Sequence, residues 1–235
     1  MTQAKKILVL LAHPDDPEFF CGATLAKWAK DGHEIIYHLL TCGEKGSNNP
    51  DISTDDLCLL RQKEQRDAAK IIGVTEVHFS KHPDGELAPD MDTRREVTGI
   101  IRQHKPDILL TFDPTNLYPT DFYPLNHPDH RAAGQVVLDA VFPGAGNPHY
   151  FPELHSAGLH AHYPQEIWLC LPKDANTRLD VTETWETKIA ALHAHKSQVP
   201  PDDPLIAALT NFARKPDSPP NAPRYEEPFR VLRLY

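Results

Sequence analysis

The chain has 235 residues, enough for one domain with a continuous core, and a net charge of −9. Its 24 Lys and Arg are spread thinly, which excludes the concentrated basic face of a nucleic-acid binder. The longest early apolar run, Ile7 to Ala12, is too short for a membrane span or a secretory segment, so a cytoplasmic protein without a membrane partner is expected.

In chain order, Ile7 to Leu11 reads as a buried strand. Cys21, Leu25, Trp28 and Ala29 then form a helical face that Gly32 ends. A strand follows at Ile35 to Leu40. Asp55 and Asp56 open a helix striped by Leu57, Leu60, Ala68, Ile71 and Ile72 and stopped at Gly73. Next come a short strand at Val77 to Phe79, a helix marked by Val97, Ile100 and Ile101, and a buried strand at Ile108 to Phe112. A helix from Pro128 to Val141 places Val136, Val137 and Ala140 inward. Ile167 to Leu171 reads as a strand and Thr184 to His195 as a helix. Between Pro200 and Pro228 stand eight prolines, so an extended C-terminal arm is expected over residues 200–235. The four cysteines, Cys21, Cys42, Cys58 and Cys170, show no C-x-x-C pair and are expected as buried reduced thiols. The strand–helix alternation predicts an α/β fold, a mostly parallel sheet with helices on both faces in one domain.

The most informative feature is a pair of clusters, His13-Pro14-Asp15-Asp16 and His127-Pro128-Asp129-His130, each following a buried strand. A residue before proline is pushed out of the helical region, and the proline then suits a first helical turn. Residues three apart on such a turn face one point, so His13 converges with Asp16 and His127 with His130. Imidazole and carboxylate are ligands for zinc, and three of them leave an open position for a catalytic water. A set of His13, Asp16 and His130 leaves Asp15 as general base, His127 to stabilise an oxyanion or protonate a leaving amine, and Asp129 to orient His127. Spacing alone leaves open whether His127 or His130 is the ligand. Either cluster by itself is an ordinary turn with a capping aspartate; two at strand ends point to a metal site.

Weaker candidates surround this set. Arg61 and Glu64 share the inner stripe of their helix, as an internal ion pair or as a grip on polar substrate groups. Glu44 and Gly46 form a strand-end loop suited to the pocket rim, and Asp84-Gly85 is a turn first and a hydroxyl acceptor second. His149, His155, His160, His162, His193 and His195 read as surface or hydrogen-bonded histidines before a second metal site. No G-x-G-x-x-G follows the first strand, which disfavours a dinucleotide.

These residues resemble the LmbE-like, or PIG-L, family of zinc-dependent N-deacetylases. The likeness is carried by AHPDD at Ala12 to Asp16 with Gly22 downstream, TCGEKG at Thr41 to Gly46, R-x-x-E at Arg61 and Glu64, PDG at Pro83 to Gly85, HPDH at His127 to His130, and His195 to Gln198. It implies a Rossmann-like fold, one Zn2+ (Fe2+ as the alternative) on His13, Asp16 and His130, Asp15 as base and His127 stabilising the transition state. It also implies removal of an N-acetyl group from a small polar substrate, commonly a glucosamine unit, with Arg61, Asp84 and Glu44 toward the substrate, and allows a homo-oligomer. Two positions depart from the pattern. Pro17 stands between the paired aspartates and Glu18, and Leu125 stands where some members place an oxyanion-stabilising tyrosine, with Tyr123 or Tyr118 as substitutes. A hydrolase of esters or non-sugar amides and a non-catalytic metal-dependent binding protein are the competing readings.

Overall fold

The two most apolar segments, β1 (Lys6–Leu11) and β4 (Ile108–Phe112), lie side by side at the centre of a seven-stranded sheet, with Ile7, Leu8 and Val9 opposite Ile108, Leu109 and Leu110. Strands covered on both faces have no side to offer water, which is why neither alternates. The computed structural model describes residues 3–234. Outward from β1 come β2 (Glu34–Thr41) and β3 (Glu76–His82), and outward from β4 comes β5 (Glu166–Cys170); these five strands are parallel.

Helices α1 (Asp16–Lys30), α2 (Thr54–Ile72) and α6 (Trp185–Leu192) pack on one another on one face, while α3 (Met91–His104) and α4 (Pro128–Asp139) pair on the other. Their ends follow local chemistry. The Ser53 hydroxyl accepts from Asp56 N at the start of α2, and Asp90 accepts from Asp92 N and Thr93 N at the start of α3. Gly73 closes α2 in the left-handed region, as expected of a glycine cap. A short α5 (Pro152–Ser156) lies between α4 and β5. Among the described residues, no helix is long and apolar enough to cross a membrane.

Two expectations need correction. The proline-rich segment is not an extended arm: it holds helix α7 (Pro204–Ala213) and strand β7 (Glu226–Arg233). β7 runs antiparallel between β5 and a short β6 (Thr177–Asp180), burying Phe229 and Val231. All but Pro228 open or flank the elements rather than interrupt them. Pro204 opens α7, where a missing N–H costs nothing and Asp203 caps Leu205 N. Pro228 lies in the half of β7 that pairs only with β6, an edge position that tolerates proline. Second, Cys42 and Cys58 are joined in a disulfide, because the loop after β2 returns α2 across the end of that strand; Cys21 and Cys170 are the buried thiols expected.

Candidate active site

Strand order reverses between β1 and β4, and ligands of such sheets bind beyond the carboxyl ends at that point. His13 follows β1 directly, while His127 caps α4 after the loop that leaves β4. Asp15 caps α1 with left-handed backbone (φ 94°), held by its N–H to Gln65 Oε1 at 2.8 Å. That twist turns Asp15 away from Asp16, whose Oδ2 folds back to accept His13 N at 2.7 Å and Ala12 N at 3.2 Å.

Three candidate ligand groups thereby converge. His13 Nδ1 lies 3.3 Å from His130 Nε2, Asp16 Oδ2 lies 3.4 Å from His13 Nδ1, and Asp16 Oδ1 lies 3.0 Å from His130 Nε2. Donor atoms about 2.0–2.1 Å from a tetrahedral ion stand about 3.3 Å apart, which is the spacing of the two inner nitrogens; Asp16 faces each of them through a different carboxylate oxygen. The outer nitrogens are engaged as metal-binding imidazoles require. His13 Nε2 meets Asp84 Oδ1 at 3.1 Å and Asp129 Oδ2 at 3.2 Å, and His130 Nδ1 meets Asn126 Oδ1 at 3.1 Å. Protons held on those sides leave the inner nitrogens with lone pairs. Among the described residues, the groups whose ligand atoms all lie close enough to hold one ion are His13 with His127 and His130, and His13 with Asp84 and Asp129; Asp16 borders the first of these through its contacts with His13 and His130.

Electrostatics agree. Burial alone would push the His13 pKa down, yet the Asp16 carboxylate and hydrogen bonds to Asp129, Asp16 and Asp84 raise it well above the ordinary range. Burial would raise the Asp16 carboxyl, but His130 and His13 hold it far below the usual carboxylate range. The site therefore favours positive charge beside Asp16. At Asp15, burial raises the carboxyl, Arg61 opposes and Asp16 adds, with a net upward shift. His127 is pushed down by burial and by the neighbouring His13 and His130, so it stays neutral. Its Nδ1 accepts Asp129 N at 3.2 Å, which puts its proton on Nε2. The Asp129 carboxylate itself meets His13 and accepts from Gly85 N (2.7 Å) and Leu87 N (3.2 Å), rather than orienting His127.

The remaining candidates are positioned as follows. Arg61 is buried; it donates to Gly43 O (2.8 Å), Pro14 O (2.7 Å) and Asp15 Oδ2 (3.0 Å), locking the two loops together. Gly43, at φ +68°, and Gly46 admit that guanidinium: a Cβ on either would stand 2.2 or 2.3 Å from Arg61 Nη1. Glu64 does not pair with Arg61 but receives Ser197 N and Oγ at 2.9 and 2.6 Å. Glu44 accepts Asp84 N at 2.8 Å, pinning the turn that carries Asp84. His155 and His160 form an exposed pair, and His195 is buried against Glu18 at 3.1 Å, so neither adds to the centre. Leu125 and Tyr118 are largely exposed, whereas Tyr123 lines the pocket and its hydroxyl accepts His127 N at 3.0 Å. Two supporting residues were not foreseen: Asn126, four before His130, and Gln65, four after Arg61. Both show in the sequence only as polar residues at helical spacing from a stronger candidate.

The residues open into a cavity of about 420 Å³ that His13, Asp15, Asp16, His127, His130 and Tyr123 line at one end. Residues 8–141 match the family model described as GlcNAc-PI de-N-acetylase. The diacetylchitobiose deacetylase of Thermococcus kodakarensis is 34% identical over 84% of this chain and 72% of that protein. A 1D-myo-inositol 2-acetamido-2-deoxy-alpha-D-glucopyranoside deacetylase of Saccharopolyspora erythraea is 28% identical over 83% of this chain and 84% of that protein. Among solved structures, N,N'-diacetylchitobiose deacetylase from Pyrococcus horikoshii superposes with a TM-score of 0.88 at 29% identity, covering 98% of this chain and 85% of that one. The paired His-Pro-Asp clusters, the strand order and these likenesses agree: the chain belongs to the PIG-L family of de-N-acetylases.

Proposed function

We propose that the protein is a zinc-dependent N-deacetylase of N-acetylglucosamine-type sugars or their conjugates, with the ion held by His13, Asp16 and His130. The observation that carries this is the approach of His13 Nδ1 and His130 Nε2 to 3.3 Å of each other with the Asp16 carboxylate facing both, Oδ2 at 3.4 Å from the first and Oδ1 at 3.0 Å from the second, and a separate carboxylate, Asp15, beside them. When bound, the ion would supply Lewis acidity toward the acetyl carbonyl and lower the pKa of a water. The chain's own residues divide the remaining work. Asp15, its carboxyl raised by burial, takes the proton of the attacking water as a new C–O bond forms. Arg61 fixes the carboxylate's direction through Oδ2. His127, neutral with a proton on Nε2, donates to the developing oxyanion, and Tyr123 holds the His127 backbone in place. As the C–N bond breaks, the proton gathered on Asp15 passes to the leaving amine. Acetate and a free amino sugar are the products.

The test is acetate release from N-acetylglucosamine, its short oligomers and its glycosides by protein of known metal content. One zinc per chain, loss of activity on chelation and recovery on zinc addition are expected. Full activity in thoroughly chelated protein, or zinc-loaded protein that deacetylates none of these compounds, would refute the proposal.

A further inference from the structure

Resting on that reading, we infer that the far end of the cavity is a subsite for an apolar, aryl or alkyl, group attached to the amino sugar. Helix α7 carries the sequence PLIAALTNFA, eight apolar residues in ten, yet Ala213 is its one buried residue. Leu205, Leu209 and Phe212, spaced at four and three residues, face the same cavity that holds His13 and His130. Phe122, from the loop between β4 and α4, also lines the cavity and meets Phe212 with ring centroids 5.6 Å apart. Phe20 links the two ends, its ring edge-on to the His130 imidazole at 5.4 Å.

The polar groups at this end are already committed to one another. Lys188 Nζ donates to Phe19 O (2.8 Å) and Glu227 Oε1 (2.7 Å), and Glu227 also accepts Thr24 N (2.8 Å). Glu226 pairs with Arg178 at 2.7 Å, and Thr120 Oγ1 accepts Tyr123 N at 3.0 Å. A second sugar ring placed here would leave several hydroxyls short of partners, whereas a carbon group loses nothing and covers the α7 face. The polar groups that suit a sugar, Lys45, Arg61, Asp84 and Gly85, lie instead with the His and Asp residues, where the N-acetyl sugar sits if the chain deacetylates it.

The experiment compares kcat/KM for N-acetylglucosamine, N,N'-diacetylchitobiose, and the phenyl and octyl β-glycosides of N-acetylglucosamine. The two glycosides should exceed both sugars by at least about tenfold, the scale of a modest apolar contact in a pocket. Phe212→Ser and Phe122→Ser, at partly exposed positions that tolerate change, should each reduce that ratio severalfold. Octyl β-glucoside, which has no acetyl group, gives a readout independent of chemistry: calorimetry should detect its binding at concentrations where glucose gives none, and Phe212→Ser should weaken it. Octyl glucoside binding with no deacetylation of any compound would sustain the subsite and remove the deacetylase reading. Equal or higher kcat/KM for diacetylchitobiose would overturn the subsite and leave that reading intact. Phe212→Ser converting a dimer to a monomer in sedimentation, with no preference among substrates, would also overturn it, assigning the face to a second copy of the chain.

Discussion

Asp129 reaches the centre only through His13, and its replacement tests how far that contact governs metal binding. Its Oδ2 accepts from His13 Nε2 (3.2 Å) and Gly85 N (2.7 Å), and its Oδ1 from Leu87 N (3.2 Å). An amide has one acceptor oxygen, so in Asp129→Asn the oxygen serves the two donors and the NH2 faces Leu87 N, leaving a buried N–H unpaired. That costs the fold about 1–3 kcal/mol. His13 keeps its proton on Nε2, and zinc affinity falls about tenfold through the lost charge. In Asp129→Ala both backbone donors lose their partner, and His13 is left with Asp84 alone at 3.1 Å. Its proton is then free to move to Nδ1, the nitrogen that faces Asp16, and affinity falls about 100-fold, or about 2.7 kcal/mol. Competition with a fluorescent chelator reads affinity, and urea unfolding of the chelated proteins reads the fold. An Asp129→Ala protein that binds zinc as wild type does would refute the assignment of His13 Nδ1 as a ligand oriented from behind.

Further outcomes follow from the same geometry. Asp15→Asn should retain one zinc per chain by elemental analysis while kcat drops about 10²–10⁴-fold, whereas Asp16→Ala or His130→Ala should lose both. Saturating zinc at 100 times its Kd should raise unfolding stability by about 2.7 kcal/mol over chelated protein in urea titrations, a difference that vanishes in His130→Ala. His38, beneath Ser80 at 3.0 Å, has its pKa pushed down to about 4 by burial, with His78 and His104 adding and Glu96 opposing. Its neutral form is the folded one, so its contribution is complete above about pH 6.5 and is lost as pH falls toward 4. Wild type should lose about 1–2 kcal/mol more than His38→Asn across that window in denaturant unfolding; parallel curves would refute the assignment.

The central strands and the helices from α1 to α4 were legible because each is a local pattern: an apolar run, a stripe at three- and four-residue steps, a cap. The convergence of His13 with Asp16 was legible because proline and turn geometry act within four residues, whereas the choice between His127 and His130 lay outside what spacing records. What escaped depends on distance. Asp129 stands two residues from His127, so the sequence pairs them, but the first turn of α4 carries its carboxylate to His13 and the 85–87 backbone. Cys42 and Cys58 meet because a loop folds back, which no local spacing records. Eight prolines argue against regular structure only where a missing N–H is needed: seven open α7 or lie in the segments before and after it, and Pro228 sits inside β7 in the half that pairs only with β6. Arg61 shows as an inward charge on its stripe, but its role in bracing two loops appears only once Gly43 and Pro14 are placed beside it.

Strand β7 has a consequence for how the molecule matures. Glu227 on that strand grips the middle of α1 through Ala23 N (3.3 Å) and Thr24 N (2.8 Å), the same helix whose opening turn bears Asp15 and Asp16. Synthesis reaches this strand after the other six of the sheet, so until it pairs a nascent chain carries an unsealed β5 margin, with Trp168 and Ile167 lacking the neighbours that Val231 and Leu232 later provide. Such an open margin invites pairing with other chains. Pairing of β7 thus completes the barrier to aggregation and the brace on the helix that opens with Asp15 and Asp16 in a single event.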